Sequence, residues 1–190
     1  RGPDLGSHHT AIEAVVTCTP EECSINTQAG FEARLRARFP AISPFQPTGH
    51  DDTITLAHVL VVAALDLQAQ AGCPVTFRRT SQTPEPGVFQ VVVEYSEEAV
   101  GRLALQLAEA LGRAAVDDLP FNLGHALAQL SDLDEDVRLG PSTQSIVDAA
   151  TARNIPYRRM TEGSMIMFGW GSRQRRIQAA EMDVTSAIAE

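Results

Sequence analysis

The stretch from Ile54 to Ala71 constrains the fold more than any other part of the chain. Its apolar side chains cover most of the circumference of a helix: Leu56, Val59, Leu60, Val62, Ala63 and Leu67. A helix that is apolar on nearly all sides has to be buried, so we predict that it forms the centre of the core. Asp52 or Thr53 is the expected N-cap. We expect His58, inside this helix, to be a packed and hydrogen-bonded histidine rather than a catalyst.

Three short stretches have the composition and spacing of strands: Ala11–Cys18, Pro74–Arg79 and Val88–Tyr95. Thr80–Gly87 is the expected hairpin loop between the last two. A second long helix is predicted from Glu97 to Ala115, where leucine and valine recur at helical spacing. The predicted fold class is therefore α+β, with an antiparallel sheet packed against two long helices. A small α/β segment with a glycine-bracketed hairpin is expected to follow.

Shorter helices are also predicted beside the sheet and the two long helices. Ser96 is the expected N-cap of the second long helix, and shorter helices are predicted over Gly30–Phe39 and Phe121–Leu130. A group of carboxylates follows the last of these: Asp132, Asp134, Glu135 and Asp136. The group lacks the spacing of an EF-hand calcium loop, so we expect a solvated linker there.

Charge changes sharply near Gly140 and Pro141. Residues 1–142 contain 9 arginines and 19 acids, whereas residues 143–190 contain 6 arginines and 5 acids. We predict a domain over residues 1–139 and a second segment over residues 140–190. In the second segment Ser142 is the expected cap of a helix to Arg153, and a strand is expected from Ile155 to Arg159. A hairpin bracketed by Gly169 and Gly171 follows.

Composition excludes several classes of function. The net charge of −9 argues against a nucleic-acid-binding surface, and no apolar run reaches the roughly 20 residues of a membrane span. No signal peptide is visible, and three cysteines in 190 residues indicate reduced thiols and a cytoplasmic protein. All fifteen basic residues are arginine, and neither a GxxxxGK[ST] loop nor a GxGxxG motif occurs. We therefore predict no catalytic, cofactor-binding or metal-binding residue, and we expect the pair His8 and His9 to lie in a solvated loop.

The candidate binding residues are arginines in two places. Arg78 and Arg79 are expected at the shoulder of the predicted hairpin, and Arg173, Arg175 and Arg176 follow the glycine-bracketed turn. Arginine offers a planar, bidentate fork to carboxylates, so both groups are candidates for holding an acidic partner. Charge runs are more often solvated faces, and the alternative for the first pair is solvation or pairing with Glu85.

The order of short motifs along the chain resembles that of the cyanophycin synthetases. In the last third these motifs are Leu139-Gly-Pro-Ser-Thr143, Ile155-Pro156, Glu162-Gly-Ser164, Gly169-Trp-Gly171 and Gln174-Arg-Arg-Ile-Gln-Ala179. Earlier pieces fit in the same order: Glu13-Ala-Val-Val16, Leu56-Ala-His-Val-Leu60, Ala71-Gly-Cys-Pro-Val75, Val91-Val-Val-Glu-Tyr95 and Glu98-Ala-Val-Gly-Arg102. The resemblance therefore covers nearly the whole chain, although no single motif would establish it.

The resemblance implies a parent ligase that uses ATP and Mg²⁺ to join aspartate and arginine into a storage polypeptide. It implies that this chain corresponds to the N-terminal domain plus the first segment of the ATP-grasp module. The chain alone would then be catalytically silent, and its partners would be a cyanophycin-like polymer, the remainder of the ligase and further copies of the full-length protein. The Arg78 and Arg173 groups are the expected polymer contacts. A domain that serves only as a scaffold or in oligomerisation is the alternative.

Overall fold

The computed structural model describes residues 10–20, 23–47, 53–160, 164–178 and 181–182. The chain divides into two compact units, the first ending at Asp136 and the second beginning at Val137. The described residues form five α-helices and two antiparallel sheets, which confirms the predicted α+β class. None of these helices is both long and apolar enough to cross a membrane. The assignment of residues 1–139 and 140–190 to two modules of a ligase stays a prediction.

The sheet of the first unit has three antiparallel strands in the order β1–β3–β2. They are β1 (Ala11–Thr17), β2 (Arg78–Gln82) and β3 (Val88–Glu94). In β3, alternate residues Phe89, Val91 and Val93 are buried and are paired with Val16, Ala14 and Ile12 of β1. The sheet therefore turns one apolar face towards the helices.

The prediction of a strand over Pro74–Arg79 was wrong at both ends. The Glu94 carboxylate accepts hydrogen bonds from the backbone N–H groups of Thr76 and Phe77, each at 2.6 Å. These two N–H groups therefore bond to a side chain and not to a neighbouring strand. Strand pairing begins at Arg78 and continues to Gln82, which shortens the predicted hairpin loop to residues 83–87. The Thr83 N–H closes this loop on the Val88 carbonyl at 3.0 Å.

Four helices complete the first unit: α1 (Phe31–Arg38), α2 (Leu56–Gln70), α3 (Glu98–Val116) and α4 (Leu123–Val137). Ten of the fifteen residues of α2 are buried, as its apolar circumference predicts. It contacts β2, β3 and α3, and α3 also contacts β1. Both long helices therefore pack against the sheet, as predicted.

The start of α2 differs from the prediction. Its N-cap is Thr55, two residues beyond Thr53, while Asp52 lies outside the described residues. The Thr55 N–H donates to Nδ1 of His58 at 3.2 Å, and the Thr55 hydroxyl lies 2.9 Å from the same nitrogen. His58 thus occupies the N3 position of a capping box. It is 5% exposed, so the prediction of a packed, hydrogen-bonded histidine is confirmed.

Helix α4 is longer than the sequence indicates. The acids at positions 132, 134, 135 and 136 lie inside it, so the prediction of an acidic linker was wrong. Leu130 is fully buried, and the Ser96 hydroxyl donates to Oδ1 of Asp134 at 3.1 Å. That bond also explains a second error: the N-cap of α3 is Glu97 rather than Ser96.

The second unit contains α5 (Pro141–Thr151) and a four-stranded antiparallel sheet in the order β4–β5–β6–β7. The strands are β4 (Tyr157–Arg159), β5 (Met165–Phe168), β6 (Arg175–Gln178) and β7 (Glu181–Met182). A small core forms from Leu139, Val147, Ile166 and Ile177, with Phe168 packed against it. The N-cap of α5 is Gly140, not the predicted Ser142.

The glycine-bracketed hairpin is confirmed. It joins β5 to β6 through Gly169, Trp170 and a short 3-10 turn. Gly169 and Gly171 have φ of 75° and 56°, a region that favours glycine. A Cβ atom on Gly169 would lie 3.1 Å from the Arg173 carbonyl oxygen. The two glycines therefore allow the tight return of the chain.

The His58 capping box predicts a pH dependence of stability. Burial lowers the pKa of His58 below its ordinary value of 6.5, so below pH 6.5 the unfolded chain binds more protons than the folded one. The free energy of unfolding should fall as the pH drops below 6.5, by at most about 1.4 kcal/mol per pH unit from this group. Urea denaturation at several pH values between 7.5 and 5 measures this change in the free energy of unfolding.

The matched variant is His58→Gln, because glutamine serves at the N3 position of a capping box but does not titrate. Its free energy of unfolding should vary less between pH 6.5 and 5 than that of the parent chain. An unchanged pH dependence in His58→Gln would show that another group is responsible.

Candidate functional site

The face of the first sheet opposite the helices carries charges of both signs. Glu13 of β1 and Arg79 of β2 are both paired in register with Val92 of β3. Because strands lie about 4.8 Å apart, the two charged positions are separated by about 10 Å. Both charged residues are exposed, whereas Val92 between them is 2% exposed. We call this row of Glu13, Val92 and Arg79 the open-face row.

Neighbouring polar side chains hold both charged groups in place. The Gln90 amide donates to Oε1 of Glu13, and Nε of Arg79 donates to the Ser81 hydroxyl at 3.1 Å. Each interaction uses only part of the charged group, since a guanidinium has five N–H donors and a carboxylate two oxygens. The open-face row can therefore offer a cation to a carboxylate and an anion to a guanidinium at the same time.

The structure does not place Arg78 and Arg79 in one cluster. Successive residues of a strand face opposite sides of the sheet, and Arg78 is on the same side as Thr80, which is 6% exposed. Arg78 is correspondingly half-buried. Both lie at the start of β2, a full strand away from residues 83–87, so the expected place at the hairpin shoulder was wrong.

The three arginines of the second unit are also dispersed. Arg176 is paired with Met167 of β5, whereas Arg175 is paired with Phe168 and so faces the other side of the sheet. Arg173 ends the 3-10 turn. Arg158 of β4 is also paired with Met167, so Arg158 and Arg176 flank that methionine on one face. Sequence reasoning missed Arg158, and the alternation of the short strand was the pattern that could have identified it.

Among the described residues, a cleft of about 540 Å³ is lined by β1, α2 and α3 and by no residue of β3. Its apolar lining comes from β1, from the first turn of α2 and from α3: Val16, Val59, Leu60, Leu105 and Ala108. One side of α3 and its C-cap residue add three charged side chains at intervals of four residues: Glu109, Arg113 and Asp117. Sequence reasoning missed these three residues, although such spacing places side chains on one face of a helix. Glu109 and Arg113 form an exposed ion pair of 2.7 Å.

Cys73 is a buried thiol with Ser96 and Asp134 close to it. It is 4% exposed, and burial raises the pKa of its thiol, an effect that a hydrogen bond with Ser96 only partly offsets. A thiol with a raised pKa is a poor nucleophile at neutral pH. Within the described ranges, no three His, Cys, Asp or Glu side chains come together as a metal site would require. His8 and His9 lie outside those ranges.

Comparison with known proteins finds similarity to the same family that the short motifs resemble. Residues 49–117 match the family described as cyanophycin synthase-like N-terminal domain. The chain is 32% identical over 97% of its length to cyanophycin synthetase from Crocosphaera subtropica, and 38% identical over 70% of its length to that from Geminocystis herdmanii. It spans only 20% of the length of the first relative and 16% of the length of the second. The chain is therefore similar along nearly all of its length to part of the cyanophycin synthetases, and its residues 49–117 match the cyanophycin synthase-like N-terminal domain family.

Proposed function

We propose that this chain is the N-terminal part of an ATP-dependent ligase that joins aspartate and arginine, and that its first unit holds the polymer. The observation that carries the proposal is the open-face row, Glu13–Val92–Arg79, on a chain related to the cyanophycin synthetases. A polymer with an aspartate backbone and arginine side groups carries a carboxylate and a guanidinium in each repeat. The row offers a partner to each of them.

We place the binding of ATP and Mg²⁺ outside these 190 residues. The described residues do not fit either group, because no three of their acidic, histidine or cysteine side chains come together. The chain also contains no lysine, the residue that commonly contacts nucleotide phosphates as a point charge. In this proposal residues 140–190 open the ATP-grasp module, and the first unit retains the cytoplasmic polymer near catalytic residues of later modules.

The energetics of the open-face row require a multivalent ligand. An exposed ion pair contributes about 0.2–1 kcal/mol, which is too little for useful affinity on its own. A chain with many identical repeats rebinds whenever one contact opens, so weak contacts add up to retention. Salt should reduce retention, because exposed charges are screened beyond about 8 Å at physiological ionic strength.

The first test is Arg79→Ala, with Arg102→Ala as the matched control. Arg102 is an exposed arginine of α3 that pairs with Glu98 at 2.8 Å. Replacing Arg102 with alanine changes the net charge by the same amount as replacing Arg79. Arg79→Ala should weaken binding of a short aspartate–arginine oligomer about 1.4-fold to fivefold at low salt, the range that corresponds to one exposed ion pair. Binding should be measured by calorimetry.

Arg78→Ala should have the smaller effect on binding, because Arg78 faces the other side of the sheet. It can also be destabilising, so the melting temperature of each variant is measured in parallel. If Arg79→Ala and Arg102→Ala bind the oligomer equally well, the open-face row does not hold the polymer.

The second test concerns the nucleotide. The 190-residue chain should neither bind ATP with micromolar affinity nor hydrolyse it, with or without Mg²⁺, since its described residues provide no fitting site. Calorimetry with ATP and a phosphate-release assay measure the two properties. A micromolar dissociation constant would overturn the assignment of ATP to later modules.

A contact surface for the remainder of the ligase is a second candidate function, and the second unit favours it. Four large apolar side chains are at least 40% exposed there, with Trp170 at 74%: Ile155, Tyr157, Met160 and Trp170. Such side chains are typical of surfaces that bind another protein segment. In this proposal they contact later modules, or further copies of the full-length protein.

Trp170 reports on this candidate directly, because it is the only tryptophan of the chain. Its fluorescence in the 190-residue chain should have the emission maximum of a water-exposed indole and should be quenched readily by acrylamide. In a longer chain made with no other tryptophan, coverage by later modules would shift the emission to shorter wavelength. Unchanged emission and quenching in that longer chain would exclude Trp170 from the contact.

A further inference from the structure

Strand β1 lies at an edge of the first sheet, and the register shows which of its backbone groups face outwards. The Tyr95 N–H donates to the Thr10 carbonyl at 3.1 Å, and the Cys18 N–H donates to the Gly87 carbonyl at 2.8 Å. In an antiparallel pair, hydrogen-bonded residues alternate with residues whose N–H and C=O point away. The even-numbered residues of β1 therefore bond to β3, while Glu13, Val15 and Thr17 direct their backbone groups to the free edge.

This edge strand also lines the cleft. Ala14–Thr17 of β1 and the following residue, Cys18, line it together with α2 and α3. Val15, in the middle of the edge, is 69% exposed. Outward backbone groups beside an apolar cleft are the features that bind an extended polypeptide as an added strand.

Charges on α3 indicate which extended polypeptide fits. Glu109, Arg113 and Asp117 are spaced by four residues, so they form a row of alternating sign with steps of about 6 Å. Side chains on one face of an extended chain are spaced by about 7 Å. A chain that offers a carboxylate and a guanidinium at every repeat can meet each member of this row with the opposite charge. The Glu109–Arg113 pair is exposed, so exchanging it for contacts to a ligand costs little.

We propose that the main chain of the polymer binds along the free edge of β1 as a fourth strand, with its charged side groups contacting Glu109, Arg113 and Asp117. This inference rests on the proposed function, because it takes the polymer as the ligand. It adds that recognition is by backbone hydrogen bonds to Glu13, Val15 and Thr17. The open-face row then contacts side groups that project on the other side of the added strand.

The test is Val15→Pro, which removes the outward N–H at the centre of the edge and leaves every bond to β3 in place. Proline is tolerated at such positions of edge strands. The matched control is Gln82→Pro. The Thr83 N–H bonds to Val88, so the neighbouring Gln82 directs its backbone outwards at the opposite edge of the same sheet. Val15→Ala keeps the N–H and controls for loss of the side chain.

The ligand is a synthetic oligomer of about ten aspartates with arginine coupled to each side-chain carboxyl group, and the full 190-residue chain is titrated with it. Val15→Pro should weaken binding at least tenfold and more than Val15→Ala does, while Gln82→Pro should stay within twofold of the parent chain. Circular dichroism and melting temperature verify that each variant is folded.

A second measurement uses the unmodified protein. An oligomer with alternate backbone amides N-methylated has the same charges but fewer donors, and it should bind at least tenfold more weakly than the plain oligomer. Equal binding of the two oligomers, or of Val15→Pro and the parent chain, would overturn strand addition while leaving polymer binding intact. If the parent chain fails to bind either oligomer, the proposed function and this inference fall together.

Discussion

The burial of α2 is the interaction on which the first unit depends. Ala57, Ala63 and Leu67 are fully buried, and Val59 and Val61 are 1% exposed, so the helix has almost no solvated side. Complete burial of a valine or leucine side chain contributes about 1.5–3 kcal/mol. The side-chain amide of Gln68 links the helix to the sheet, since it donates hydrogen bonds to the Glu94 carbonyl at 3.0 Å and to the Ala64 carbonyl at 3.2 Å. The helix is thereby held against the end of β3.

The features that the sequence predicted well are those in which a side-chain pattern alone decides the structure. The apolar circumference of α2 requires burial, and the glycines around Trp170 allow a tight turn, whatever the rest of the chain does. The errors arose where a distant group takes over a backbone or side-chain partner. Glu94 binds the N–H groups of Thr76 and Phe77, and this displaces the start of β2. Asp134 accepts the Ser96 hydroxyl and so removes Ser96 from the predicted cap.

The candidate site also combines features that a local pattern predicts with features that depend on distant parts of the chain. Arg79 was identified from its residue type, but its partner row depends on strand register, which brings Glu13 opposite Val92 from the far end of the unit. The cleft along β1 depends on the packing of α3 beside an edge strand, and no local pattern encodes that relation. Arg78 and Arg79 are adjacent in sequence, yet the alternation of a strand separates them onto two faces. The two arginines therefore do not form one cluster, and strand register identifies Glu13 as the acid in the row of Arg79.

A free edge beside an apolar cleft also attracts unwanted strands, so its surroundings must discriminate. Charged side chains near an edge disfavour pairing with an apolar strand, because that strand would remove water from Glu13, Glu109 and Asp117 and offer them no opposite charge. An extended chain with both charges in each repeat meets these groups with opposite charges and avoids that cost. The charges beside β1 would thus exclude apolar strands and favour an aspartate–arginine chain. Selectivity then arises from the cost of the wrong ligand as much as from contacts with the right one, which is consistent with the small free energy that each exposed ion pair supplies.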